Sequence, residues 1–80
     1  MRSKDEIYAW VADVLKREFQ FGDDDLSPEA HLVDDLDLDS IDAIDLTVRL
    51  EEKTGLSFKE DDLKSLQTIQ DVVDFIDEHV

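Results

Sequence analysis

A single serine stands among five aspartates in the middle of this sequence. The stretch DLDLDSIDAIDL, residues 35–46, places Ser40 between Asp39 and Ile41. A serine in such surroundings can cap a helix, ligate a metal ion, act as a nucleophile, or be the attachment point for another chemical group. Each role requires different residues elsewhere in the chain.

The spacing of Asp35, Asp37 and Asp39 imitates the beginning of a calcium-binding loop. When Asp35 is taken as position 1, such a loop has glycine at position 6 and glutamate at position 12. Those two positions hold Ser40 and Leu46 in this chain. We therefore expect no dedicated metal site.

A hydrolytic role for Ser40 would require a base beside it. The two histidines are His31 and His79, and no G-x-S-x-G turn surrounds the serine. Acid–base catalysis by paired carboxylates is equally unsupported, because so small a chain offers no deep cleft that would shift their pKa values. The sequence predicts a protein that is not an enzyme.

The composition restricts the partners and the compartment. The chain has 23 Asp and Glu residues against 8 Lys and Arg, a formal net charge of -15. This charge opposes binding to nucleic acid or anionic lipid and favours partners with basic patches. No apolar run approaches the ~20 residues that cross a bilayer, and no signal peptide is recognisable. We expect a cytoplasmic monomer that does not insert into membranes.

Three segments carry apolar residues at helical spacing. They are residues 4–19, which follow a candidate cap at Ser3, residues 40–54, which end before Gly55, and residues 68–80. A short helix over Glu60–Lys64 is predicted to turn Leu63 towards the core. In the second long helix the side chains expected to face inward are Ile44, Leu46, Thr47 and Leu50.

The connection between the first two helices, residues 20–38, is too long for a simple turn. We expect an ordered loop with a helical turn at Pro28–Ala30, pinned to the core by apolar side chains at Leu26, Leu32, Val33 and Leu36. The predicted fold is all-α: a small four-helix bundle with three main helices, one short helix, and a long ordered loop between the first two. The 80 residues are predicted to form a single domain.

If a helix begins at Ser40, with Ser40 or Asp39 as its cap, an exposed stripe follows along it. Alternating apolar and acidic side chains would form this stripe, namely Ile41, Asp45, Val48 and Glu52. Such a surface is typical of docking to a basic partner, and an ordinary solvated charged face is the alternative.

The combined pattern resembles the acyl carrier protein family. Asp39-Ser40-Ile41 resembles the family's D-S-L motif. The first helix, the loop ending in HLVDDL, the helix DSIDAIDLTVRLEEKTG and the closing TIQDVVDFI follow the family's order and spacing. The resemblance implies that the chain is one acyl carrier domain. It would carry acyl intermediates as thioesters on a 4′-phosphopantetheine arm attached to Ser40, in fatty acid, polyketide or related lipid biosynthesis.

The resemblance also implies residue roles and partners. Asp39 and Ile41 would flank the attachment site beside Ser40. The expected partners are a phosphopantetheinyl transferase and acyl-transferring and chain-elongating enzymes with basic docking patches. The residues implied as contacts for these enzymes are Ile41, Asp42, Asp45, Val48, Glu51 and Glu52.

Departures from the family pattern suggest a specialised carrier. Many members have glycine three residues before the serine, where this chain has Asp37, and Ile41 replaces the usual leucine. Arg49 and Lys53 add positive charge to a helix that is commonly more uniformly acidic. Two other hypotheses remain: an unmodified small acidic protein–protein interaction module, and an aminoacyl or peptidyl carrier.

Overall fold

A computed structural model describes residues 3–79, apart from the side chain of Glu60. It contains four α-helices: α1 (Lys4–Phe19), α2 (Ser40–Thr54), α3 (Glu60–Ser65) and α4 (Ile69–His79). Within residues 3–79 there is no β-strand, only an isolated bridge between His31 and Thr68. The predicted all-α fold, with three main helices, one short helix and a long connection after the first, is confirmed. Val80 of the predicted last helix lies outside the described residues.

Side-chain caps fix the residues at which α1 and α4 begin. Ser3 Oγ accepts a hydrogen bond from the N–H of Glu6 at 3.2 Å. Before α4, Thr68 Oγ1 accepts from the Asp71 N–H, and the Asp71 carboxylate accepts from the Thr68 N–H, both at 3.1 Å. Each cap satisfies an N–H group without a partner inside the helix, at about 1 kcal/mol. The predicted cap at Ser3 is confirmed.

The core lies between α1, α2 and α4, and the long loop covers it. The helices bury one apolar face each, which is why their sequences show helical spacing. Burial of each large apolar side chain contributes about 1.5–3 kcal/mol. The fully buried side chains are Ile7, Val11, Leu15, Leu46, Leu50, Ile69, Val72, Val73 and Ile76. None of the helices within residues 3–79 has the length and apolar character that crossing a membrane requires.

Backbone hydrogen bonds tie the long loop to the segment that precedes α4. The Leu32 N–H donates to the Gln67 carbonyl at 2.8 Å, and the Ile69 N–H donates to the Ala30 carbonyl at 3.1 Å. These bonds satisfy backbone groups that no helix satisfies. The loop is therefore ordered, as predicted, and the chain that leads to Ser40 is anchored to α4.

Four side chains were predicted to anchor the loop, and for Val33 this prediction is wrong. Leu32 and Leu36 are buried and Leu26 packs against the core, but the Val33 side chain is 56% exposed. Its neighbour Leu32 takes the inward position, so Val33 points away from the core, and its N–H donates to His31 Nδ1 at 3.2 Å. Whether a loop side chain is buried depends on the path of the backbone, and apolar character alone does not determine that path.

The predicted helical turn at Pro28–Ala30 is also wrong. That segment is a turn closed by the Ala30 N–H and the Ser27 carbonyl at 3.0 Å. The helical turn lies earlier, in a 3-10 helix at Asp23–Asp25. The Asp25 carboxylate accepts a bond from the Gly22 N–H at 3.0 Å, which stabilises the start of that helix.

Candidate functional site

Ser40 is the first residue of α2, and its side chain is exposed. The cap of this helix is Asp39, whose Oδ1 accepts a hydrogen bond from the Asp42 N–H at 2.8 Å. Of the two predicted candidates, the structure therefore assigns the cap to Asp39. Since the helix start does not use the Ser40 hydroxyl, this hydroxyl is available for chemistry.

The residues before Ser40 alternate between the core and the solvent. Leu36 and Leu38 are 4% and 3% exposed, and the Leu38 N–H donates to the Leu32 carbonyl at 3.0 Å. Asp37 lies between them, exposed, with a φ of 58°. The two buried leucines hold the chain immediately before α2, which fixes the position of the serine. The sequence pattern alone does not single out Leu38.

The positive φ of Asp37 leads to a prediction about stability. Glycine adopts this backbone conformation without steric cost, whereas other L-residues are strained by about 1–2 kcal/mol. We expect Asp37→Gly to raise the free energy of unfolding by up to about 1 kcal/mol, and Asp37→Val to lower it by about 1–2 kcal/mol. Urea unfolding followed by circular dichroism measures both. Equal stability of the glycine and valine variants would contradict the backbone argument.

A surface groove of about 290 Å³ opens beside Ser40. Ser40, Ala43 and Ile44 of α2 line it, together with Leu63 and Lys64 of α3. The walls are mostly apolar, and the polar groups of its lining side chains are the serine hydroxyl and the lysine ammonium. An extended, uncharged chain attached to Ser40 has room to lie along this groove.

A smaller cavity of about 20 Å³ lies deeper in the molecule, with room for about one water molecule. An acyl chain does not fit this volume unless α2 and α3 separate. The half-buried Leu63 reaches the cavity from α3, next to Leu46 and Leu50 of α2. The full lining is apolar except for one hydroxyl and consists of Leu32, Ala43, Leu46, Thr47, Leu50, Leu63, Leu66 and Val72.

Ile44 lies on the outer face of α2, so the prediction that it faces inward is wrong. Its side chain is 51% exposed, whereas Leu46 is 1% exposed. Successive helical residues are about 100° apart, so residues separated by two positions point to opposite sides. Ile44 shares its face with Ile41 and Val48, at i, i+3 and i+7, which are 74% and 43% exposed. We call Ile41, Ile44 and Val48 the apolar stripe.

The predicted partner-contact acids differ in their surroundings. Asp42, Asp45 and Glu51 are partly buried, whereas Glu52 is exposed. The Glu51 Oε2 accepts a hydrogen bond from the Phe58 N–H at 2.8 Å, which ties the segment after α2 back onto that helix. Glu51 therefore has a role inside the chain in addition to any role in docking.

Ion pairs connect the two cations of α2 to carboxylates of α1. Arg49 Nη1 lies 3.1 Å from Glu18 Oε2, and Arg49 Nε lies 3.4 Å from Asp45 Oδ2. Lys53 Nζ lies 3.6 Å from Asp13 Oδ2. The positive charges that depart from the family pattern are thus offset within the molecule before any partner approaches.

Two of the three aspartates that the calcium-loop pattern would use accept backbone hydrogen bonds instead. Asp35 Oδ2 accepts a hydrogen bond from the His31 N–H at 2.7 Å, and Asp39 caps α2. In residues 3–79 no group of three or more histidine, aspartate or glutamate side chains is arranged to hold a metal ion.

The sequence is similar to those of several known proteins. A family model described as the phosphopantetheine attachment site matches residues 7–76. An acyl carrier protein of Micrococcus luteus is 40% identical over 77 residues, which cover 96% of this chain and 95% of that protein. One from Myxococcus xanthus is 40% identical over 76 residues, 95% of this chain and 96% of that protein. The meromycolate extension acyl carrier protein of Mycobacterium leprae is 34% identical over 74 residues, 92% of this chain and 64% of that protein.

The helical fold and the matched attachment site define a phosphopantetheine-binding carrier domain. The chain belongs to the acyl carrier protein family. It carries a covalent 4′-phosphopantetheine arm and functions as an acyl carrier in fatty acid or related lipid synthesis, as the sequence predicted. Members of this family are carriers rather than catalysts.

The residues at the start of α2 fit such an arm. When bound, the arm supplies a terminal thiol that holds acyl groups as thioesters. For such an arm the chain would supply the exposed hydroxyl at Ser40, a helix N-terminus that favours a phosphodiester anion, and the groove that α2 and α3 line. Asp39 keeps the helix start in place, because its carboxylate caps α2.

Proposed function

We propose that Ser40 is the attachment point of the 4′-phosphopantetheine arm, flanked by Asp39 and Ile41, in a non-catalytic acyl carrier domain that spans residues 1–80. One observation carries this proposal: Ser40 presents an exposed hydroxyl at the start of α2, beside a groove, while Asp39 performs the capping. The serine needs no local base, because a separate transferase would activate it.

Two of the other serines already use their hydroxyl groups within the fold. Ser3 Oγ caps α1, and Ser65 Oγ donates to the Asp62 carbonyl at 2.8 Å. Ser27 is partly buried, and Ser57 is exposed but lies between helices rather than at a helix start. These differences favour Ser40 as the modified residue.

Intact mass spectrometry tests the proposal. The purified chain is incubated with coenzyme A and a general phosphopantetheinyl transferase, and the mass should increase by one arm. Proteolysis should then locate the added mass on the peptide that contains Asp39-Ser40-Ile41. A chain that gains no mass would support the unmodified interaction module instead.

The lining of the deep cavity supports an alkyl cargo. Leu46, Leu50 and Leu63 offer apolar surface to a chain that enters between α2 and α3. Apolar surface is stabilised by contact with alkyl groups and gains little from the polar groups of an aminoacyl cargo. We therefore propose a fatty acyl or related lipid acyl group rather than an aminoacyl or peptidyl one.

The proposed docking surface consists of the apolar stripe and the acids beside it. The stripe supplies exposed apolar contacts, and Asp42, Asp45, Glu51 and Glu52 supply negative charge for basic patches on the transferase and on acyl-transferring and chain-elongating enzymes. The net charge of -15 disfavours self-association, which supports a monomer. We propose that the protein is cytoplasmic.

Charge reversal at Asp45 is expected to slow transfer of the arm by about tenfold at low salt, because a local negative charge steers a basic partner. The loss of the Arg49 contact at 3.4 Å should change the free energy of unfolding by no more than about 0.5 kcal/mol. Modification rates of Asp45→Lys, measured by mass spectrometry at low and high salt, should converge with those of the wild type as salt rises.

Asp24→Lys is the matched control for this prediction. Asp24 is exposed in the 3-10 helix, so its reversal changes the net charge equally but leaves α2 unaltered. This variant should be modified at close to the wild-type rate. If Asp24→Lys slows the transfer as much as Asp45→Lys, the effect is caused by the change in net charge, and the proposed docking surface is wrong.

A further inference from the structure

Lys64 brings a positive charge to the groove beside Ser40. It lies in the last turn of α3, its side chain is exposed, and it lines the groove opposite the start of α2. The sequence around Ser40 is otherwise acidic, with Asp37, Asp39 and Asp42 within three positions of it. A cation from α3 therefore offsets a local excess of negative charge at the place where a further anion would be attached.

The lysines and arginines that the structure describes, Lys64 included, fall into two groups. Five of them pair with carboxylates: Lys4 with Asp74, Lys16 with Asp23, Arg17 with Asp13, Arg49 with Glu18 and Asp45, and Lys53 with Asp13. Lys59 and Lys64 form no ion pair with any side chain that the structure describes. Of these two, only Lys64 lines the groove.

The groove has the chemical character of a site for an anionic group followed by an uncharged chain. The two polar residues that line it are Ser40 and Lys64, and the other lining residues are Ala43, Ile44 and Leu63. The arm has the same order: a phosphodiester next to the serine, then a largely uncharged pantetheine chain. Lysine binds phosphate as a point charge, and such charge-assisted contacts are stronger than those between neutral groups.

We propose that Lys64 is a positioning residue for the prosthetic arm. Its ammonium pairs with the phosphodiester on Ser40 and holds the first part of the arm along the groove between α2 and α3. This inference rests on the proposed attachment at Ser40. It adds a residue of α3 that the motif around the serine does not contain.

The test is a double-mutant cycle between the arm and the lysine. Thermal midpoints are measured for the unmodified and arm-bearing forms of the wild type, Lys64→Gln and Lys64→Arg. The quantity compared is the thermal midpoint of the arm-bearing form minus that of the unmodified form. Lys64→Gln should lower this difference by ~2–4 °C because the contact is lost, and Lys64→Arg should restore it. The effect should shrink in about 0.5 M salt, where charges are strongly screened. The phosphorus resonance of the arm should shift in Lys64→Gln and less so in Lys64→Arg.

Lys59→Gln is the matched control, because it removes an equal charge from the start of α3, outside the groove. The inference is overturned if Lys64→Gln keeps the wild-type difference, or if Lys59→Gln reduces it equally. Mass mapping separates this result from failure of the proposed function. An arm found on a residue other than Ser40 overturns both, whereas an arm on Ser40 that does not respond to Lys64 overturns this inference alone.

Discussion

Ser40→Ala is expected to abolish attachment of the arm and to leave the fold intact. In the proposed attachment the Ser40 hydroxyl loses its proton and Oγ bonds to phosphorus, while the pyrophosphate bond of coenzyme A breaks and adenosine 3′,5′-bisphosphate leaves. Alanine has no oxygen that can form this bond. The side chain of Ser40 is exposed and Asp39 caps α2, so the free energy of unfolding should change by less than about 0.5 kcal/mol. Intact mass after incubation with coenzyme A and transferase measures the first effect, and circular dichroism during unfolding measures the second.

Ser57→Ala is the matched control for Ser40→Ala. Ser57 is also exposed, but it lies between α2 and α3, so its replacement should leave the modification unchanged. Asp39→Ala provides a separate comparison. It removes the cap at a cost of about 1 kcal/mol but retains the hydroxyl, so the arm should still be attached. An arm mass on Ser40→Ala would refute the assignment.

The helices could be predicted because their signals are local. In α1, Ile7, Val11 and Leu15 recur at helical spacing behind a cap at Ser3, and all of these residues lie within one segment of the chain. The start of α2 was equally accessible, since short polar residues stand immediately before a periodic run. This is why the position of Ser40 at a helix start followed from the sequence.

The errors arose where the outcome depended on geometry beyond the residue type. Ile44 is apolar and was predicted to face the core, although the angle of about 100° per residue separates it from Leu46 and would have placed it correctly. Val33 had no such signal, because its direction follows from the path of the loop along the segment before α4. Apolar character indicates that a residue can be buried but not which way it points.

Contacts between helices were the least predictable part of the site. The pair between Arg49 and Glu18 exists because α1 and α2 pack side by side, and neither residue indicates the other in the sequence. Lys64 and Ser40 likewise line one groove because of how α3 and α2 are placed in the fold. Such contacts between segments distant in sequence become visible only once the fold is known.

Leu46→Ala is expected to lower the free energy of unfolding by about 2–5 kcal/mol, because it removes buried carbon atoms and leaves a cavity. The side chain is 1% exposed, and it already borders a cavity of about 20 Å³, which the substitution would enlarge. Domains of this size are stable by only about 5–15 kcal/mol, so the loss is a large fraction of the total. Urea unfolding followed by circular dichroism gives the free energy directly.

Ile44→Ala is the control because it removes the same number of carbon atoms from the same helix, two positions earlier. Ile44 is 51% exposed, so its loss should change the free energy of unfolding by no more than about 0.5 kcal/mol. For the rate of arm transfer, the order of the two effects should be reversed. Ile44→Ala should slow the reaction because it removes part of the apolar stripe, whereas Leu46→Ala should be modified normally at temperatures where it remains folded. Equal loss of stability in the two variants would show that burial does not distinguish them, and both the core position of Leu46 and the outward position of Ile44 would then be wrong.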